Sequence, residues 1–182
     1  MSLPEQPDEV GSIAPVRVSA TRPRPGFSHP IGRRQVTEAL DFFGPLATYG
    51  LRSVELRHAD MDAQGVPVLA RLRVPGTVIL YEQRASPWTI GGRLSEESLC
   101  RLRDAGAIVD IGPSATVIHW PDETLANFVL FDGLMHEVGH HLIQHHTGKR
   151  TARVMRTADH ERAAERFAAA CRAAWAARLD AS

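Results

Sequence analysis

The chain has 182 residues, 43% of them apolar and 23% charged, and its 21 Lys and Arg are balanced by 21 Asp and Glu. That length and composition suit one globular domain with a real core. Zero net charge gives no electrostatic pull toward nucleic acid or an anionic membrane, and with no basic start followed by an apolar run, and no stretch of transmembrane length, a cytoplasmic protein is expected.

Residues 1 to about 30 hold half of the twelve prolines, with Pro23, Pro25 and Pro30 around Arg22 and Arg24. They are expected to form a disordered tail ahead of a single domain over residues 31–182. A first helix is predicted from about Gly32 to Phe43, where Val36, Leu40 and Phe43 recur at helical spacing and Gly44-Pro45 ends or kinks it. Short β-branched runs follow at Ser53–Arg57, Val66–Val74 and Thr77–Gln83, the last two joined as a hairpin through Pro75-Gly76 at the centre of a type II turn. Ser95, with Glu96 and Glu97 behind it, starts a helix that Gly106 stops. Cys100 and Cys171, far apart within helical patterns, are expected as small buried apolar residues, not as a disulfide. Ser114–Trp120 is the last strand before the next helix.

That helix holds the most informative stretch, Asp132-Gly-Leu-Met-His-Glu-Val-Gly-His-His-Leu142. Phe128, Phe131, Met135, Val138 and Leu142 step by three or four and so form one buried face. Within it His136, Glu137 and His140 make an H-E-x-x-H arrangement. Positions i and i+4 lie one above the other on a helix, so both imidazoles can hold one metal ion while Glu137 projects beside it, near a water on that metal. With nine His and eleven Glu, composition alone would produce the motif roughly 2 to 3 per cent of the time. His141, His145 and His146 lie off this face and read as solvated or capping residues.

A catalytic zinc needs a third protein ligand and an open fourth position. The next helical pattern begins near Thr157 or Asp159, and in it Glu161 and Glu165 both border the apolar stripe Ala164, Phe167, Cys171 and Trp175, so either can face the metal. Asp159 and His160 compete for the same role; neighbouring helix positions point about 100° apart, so one ligand excludes the next.

His136-Glu137-x-x-His140, followed by Glu161-x-x-Ala164-Glu165-x-Phe167-Ala168, resembles the gluzincin metallopeptidases, most closely their compact ImmA/IrrE-like branch, over residues 115–175. The resemblance implies that His136, His140 and Glu161 bind one zinc ion, that Glu137 is the general base, and that Glu165 hydrogen-bonds a metal histidine from the second coordination layer, in place of the family's usual Asp or Asn. It also implies that the strand before the motif helix offers a free edge to an extended peptide. There His119 and Trp120 either reach the cleft or pack on the scaffold, and Tyr49 and Tyr81 are two possible oxyanion stabilisers. The chain departs from the branch after Ala168, where Ala-Ala-Cys-Arg-Ala-Ala-Trp stands in place of a Leu-Leu-Met-Pro type of ending.

The expected protein is therefore an α+β zincin-like domain, a small twisted and mainly antiparallel sheet packed on the motif helix and a C-terminal helix. Its expected activity is zinc-dependent hydrolysis of a protein or peptide substrate. The alternatives are a zinc-binding regulatory or interaction module without proteolytic activity, and a metal-free helical scaffold. An intact Glu137 speaks against the module, since a purely structural metal site has no use for a base.

Overall fold

A computed structural model of the chain describes residues 15–60, 68–146 and 157–180. In order, it contains β1 (Arg17–Ala20), β2 (Phe27–Ser28), α1 (Arg33–Phe43), a single turn α2 (Pro45–Thr48), β3 (Ser53–Arg57), β4 (Ala70–Arg73), β5 (Thr77–Tyr81), β6 (Gln83–Arg84), β7 (Trp88–Gly91), α3 (Glu96–Asp104), β8 (Ile108–Ile111), β9 (Ala115–His119), α4 (Thr124–Phe128), a π-helical segment (Val129–Met135), α5 (His136–His146) and α6 (Ala158–Asp180). No helix among the described residues is long and apolar enough to cross a membrane. The architecture is α+β, as expected.

The main sheet runs β1-β3-β5-β4. Period-two alternation gives it one covered face: Val54 and Leu56 of β3 and Val78 and Leu80 of β5 are all within 2% of fully buried, and Val18 and Leu72 pack beside them. The helices cover that face through Val36, Ala39 and Leu40 of α1 and through Val129, Phe131, Leu134, Met135 and Val138 of the motif region. The sheet is mixed, which corrects the expectation of a mainly antiparallel one: β1–β3 and β3–β5 pair in parallel, and β4 alone runs antiparallel to β5. Direction is set by connections that alternation does not reveal. The parallel β1–β3 pair needs a crossover, and α1 supplies it.

The expected tail is also corrected over its second half. Arg17–Ala20 pairs in register with Ser53–Leu56, and Phe27–Ser28 pairs with Gln83–Arg84. As an edge strand, β1 is mostly exposed, so it lacks the apolar signature of a core strand. Residues 1–14 lie outside the described residues.

The β4–β5 hairpin forms as expected, with Gly76 at φ +73°; the part of its first run at residues 66–67 lies outside the described residues. Helix α3 follows the sequence rules closely. Ser95 Oγ accepts from Ser98 N, and Gly106 at φ +91° closes the far end, where Gly106 N donates to Arg103 O and Ala107 N to Leu102 O. Cys171 is buried but Cys100 is exposed, contrary to expectation. A second sheet, β7-β9-β8, has β9 at its centre. Strand Ser114–Trp120 therefore has neighbours on both sides and cannot be the free edge. Ile118, Trp120 and Phe128 form a second core there with Leu102 of α3, and Trp120 lies 5.1 Å from the ring of Trp88 and 4.8 Å from that of Phe128.

The segment between β1 and β2 is anchored through Arg24 by Glu82, which is 1% exposed. Its Oε2 accepts from Arg24 N at 2.9 Å, and its Oε1 accepts from Arg24 Nε at 2.5 Å and Ala59 N at 3.3 Å. Burial alone would raise the Glu82 carboxyl, but these N–H donors and the Arg24 charge hold it below its ordinary 4.5. Arg24 is 45% exposed and two backbone donors survive its loss, so Arg24→Ala is expected to cost about 1–3 kcal/mol at neutral pH. A depressed folded pKa stabilises above the unfolded value, and that contribution disappears as pH falls through the folded one. The gap in melting temperature between wild type and Arg24→Ala should thus be full above pH 4.5 and close below it; a gap constant from pH 7 to pH 3 would show that Glu82 is not its source.

Candidate metal centre

Helix α5 does not begin from coil. The chain enters it from α4 through the π-helical segment, in which His136 N reaches back to Phe131 O, an i→i+5 bond. His136 and His140 then stand one turn apart on the same side of α5. His140 is 5% exposed and His136 is half-buried. Burial first, and the neighbouring His140 ring second, hold the His136 pKa below its ordinary 6.5, with Arg101 adding to the fall and Glu137 and Glu161 opposing it. A ring kept neutral keeps its lone pair for a metal.

Helix α6 supplies the third donor. Thr157 starts it: Oγ1 accepts from His160 N and the carbonyl accepts from Glu161 N. The helix runs antiparallel to α5, since Glu161 meets His136 and His140 while Arg172, further along α6, meets Asp132, earlier in the motif region. The two helices approach closely at Gly139 and Ala164. A Cβ on Gly139 would stand 3.0 Å from Ala164 Cα, so the glycine inside the motif permits the approach that brings Glu161 to the histidines.

Three donor atoms converge as a result. His136 Nε2 and His140 Nε2 are 3.1 Å apart, and Glu161 Oε2 is 3.3 Å from each. Donors placed 2.0–2.2 Å from a tetrahedral ion stand about 3.3–3.6 Å apart, so these three residues can hold a metal ion. They are the group of metal-ligating residues found among the described residues. The Glu161 side chain is 40% exposed, which leaves the cluster open to solvent on that side. A groove of about 1060 Å³, lined by Val16, Val18, Phe42 and Arg178 among others, shares no residue with it.

The competing ligands go elsewhere. Asp159 is exposed and bonds Arg162 one turn on, and His160 is outside the cluster. Glu165 is half-buried and makes no hydrogen bond to either histidine. Glu137 is 5% exposed, and its Oε2 accepts from Leu72 N of β4 at 2.8 Å. Residues 69, 71 and 73 face β5, as the bond from Tyr81 N to Leu69 O indicates, so the outward amide of Leu72 belongs to the open edge of the main sheet. The edge beside the motif helix is β4.

Other expected residues settle into the scaffold. His119 lies 3.4 Å from Asp110, and Trp120 is in the second core. Tyr49 packs edge-on against His145, and Tyr81 is buried in the core, where burial raises its pKa. His141 is buried, not solvated as expected; its Nε2 pairs with Tyr49 O at 3.1 Å, and Gly50 makes room for it and His145. Three participants had no motif to announce them: the Leu72 amide, Arg101 and Arg172. The one available signal was Asp132, four residues before His136 and thus on its face of the helix.

No family model, curated protein or solved structure matches the chain.

Proposed function

We propose that this chain is a zinc-dependent metallopeptidase of the gluzincin kind that hydrolyses peptide bonds, with His136, His140 and Glu161 as metal ligands and Glu137 as general base. The convergence of two histidine nitrogens and a carboxylate oxygen 3.1–3.3 Å from one another, close to the spacing of ligands on one ion, carries this reading. Two nitrogens and one oxygen form a donor set suited to zinc, and three protein ligands leave a position for chemistry. When bound, zinc acts as a Lewis acid that acidifies water and polarises a carbonyl.

The chain's own groups supply the remainder. Glu137 follows the first ligand directly, and its carboxylate is held by the Leu72 amide. From there it accepts a proton from the attacking water and returns it to the leaving amine. The edge of β4 lies beside it, and outward main-chain groups on an edge strand bind extended peptide without demanding a side-chain sequence. Zinc coordination by imidazole requires its neutral form, which the buried setting of His136 favours.

Three measurements test this. Protein expressed in zinc-replete medium should contain close to one zinc per chain by elemental analysis; Glu161→Ala should lose most of it and His160→Ala should keep it, and the opposite pattern moves the ligand role to His160. Gly139→Ala adds about 1 kcal/mol of helix propensity against about 1–3 kcal/mol of overpacking. Relief by displacing α6 carries Glu161 away, so zinc retention against a chelator should fall more than thermal stability does. Glu137→Gln should keep zinc content and melting temperature near wild type while hydrolysis of a peptide library drops by about 10²- to 10⁴-fold. If the wild type cleaves a peptide and Glu137→Gln cleaves it equally well, the mechanism is wrong even with zinc bound.

A further inference from the structure

Just ahead of the metal ligand His136, two guanidinium groups share one carboxylate. Asp132 stands one turn before His136, and its carboxylate faces two guanidinium groups. Arg172 of α6 hydrogen-bonds Oδ2 and lies over the Phe131 ring, 5.4 Å from its centroid. Arg101 of α3 approaches Oδ1 only to 3.6 Å, beyond hydrogen-bonding range, and its side chain is 49% exposed. Its guanidinium makes no hydrogen bond among the described residues. One negative charge thus meets two positive ones, and Arg172 holds the nearer contact. If Arg101 served only to tie α3 to the helix, a closed bond to Asp132 would be expected, not a half-exposed approach. A guanidinium carries five donors in a planar fork that fits a carboxylate with two parallel bonds.

We propose that Arg101 is a recognition residue for a substrate carboxylate, and that the preferred peptides carry a negative charge near the position held at the metal cluster. The carboxylate belongs either to an acidic side chain or to a free C-terminus. The word substrate rests on the peptidase reading above; the anion site itself does not.

The test uses the zinc-loaded Glu137→Gln protein, so that bound peptides survive, with fluorescein-labelled hexapeptide pools read by fluorescence anisotropy. Four pools cross the presence or absence of Asp and Glu with a free or amidated C-terminus. Pools bearing a carboxylate should bind about tenfold tighter than the neutral amidated pool, the size expected for a charge-assisted hydrogen bond. Sensitivity to amidation identifies the C-terminus as the source, and sensitivity to composition identifies a side chain. Adding Arg101→Gln should abolish the preference, and Arg101→Lys should keep part of it, in variants whose melting temperatures show them folded. Equal binding of all four pools, binding of none, or a preference that survives Arg101→Gln overturns the proposal. An Arg101-dependent preference in a protein whose wild type cleaves no pool leaves the anion site standing and removes the peptidase. Wild-type cleavage of neutral amidated peptides as fast as acidic ones does the reverse.

Discussion

The contact between Gly139 and Ala164 is the constraint on which the candidate site depends. Two helices whose axes approach closely need small residues where they meet, and here one is the glycine between the ligands of the H-E-x-x-H motif and the other is fully buried on α6. A larger residue at either place would separate the helices, and the carboxylate of Glu161 would leave the two nitrogens. The motif therefore specifies more than its named ligands: the unnamed fourth position sets the distance to the partner helix. Nearby, fully buried Val138 and Met135 belong to the main core, so the cluster rests on that core.

The sheet positions the other half of the site. Because β4 is the last strand and runs against its neighbour β5, its outward amides pair with no strand among the described residues, and one of them is satisfied by Glu137. A buried carboxylate requires such a donor, and an open edge requires a cover or a partner. Each meets the other's need, and the Leu72 amide helps to fix the orientation of the acid. The price is that a mutation disturbing the β4–β5 hairpin acts on the site as directly as one at Glu137.

How legible this was in the sequence follows from the range of each interaction. Helix α3, with its Ser95 cap and Gly106 stop, was readable because both signals are local, and so were the ends of α1 and the position of β3. The buried stripe Phe128, Phe131, Met135 and Val138 marked the motif region as helix, but the π-helical departure within it left no trace in a pattern of apolar residues. Strand direction, the edge identity of β4 and the exposure of Cys100 depend on which segments become neighbours, and no short window contains that. β1 was missed because an edge strand between Pro-rich segments needs no apolar alternation. At the cluster, spacing alone left Glu161 and Glu165 equal. The Gly139–Ala164 approach, which brings Glu161 to the histidines, distinguishes them, and it is a tertiary fact.

The π-helical segment has a consequence for how the chain tolerates changes in length. A turn closed by i→i+5 bonds holds one residue more than an α turn, so Val129–Met135 is a reservoir of slack directly before His136. Losing one residue there lets the helix tighten to ordinary α geometry while the segments on either side keep their facing. Gaining one has no such outlet, and it swings the motif about 100° around the helix axis. The region is thus mechanically one-sided, lenient to shortening and strict against lengthening, although a sequence pattern alone would treat the two as equivalent.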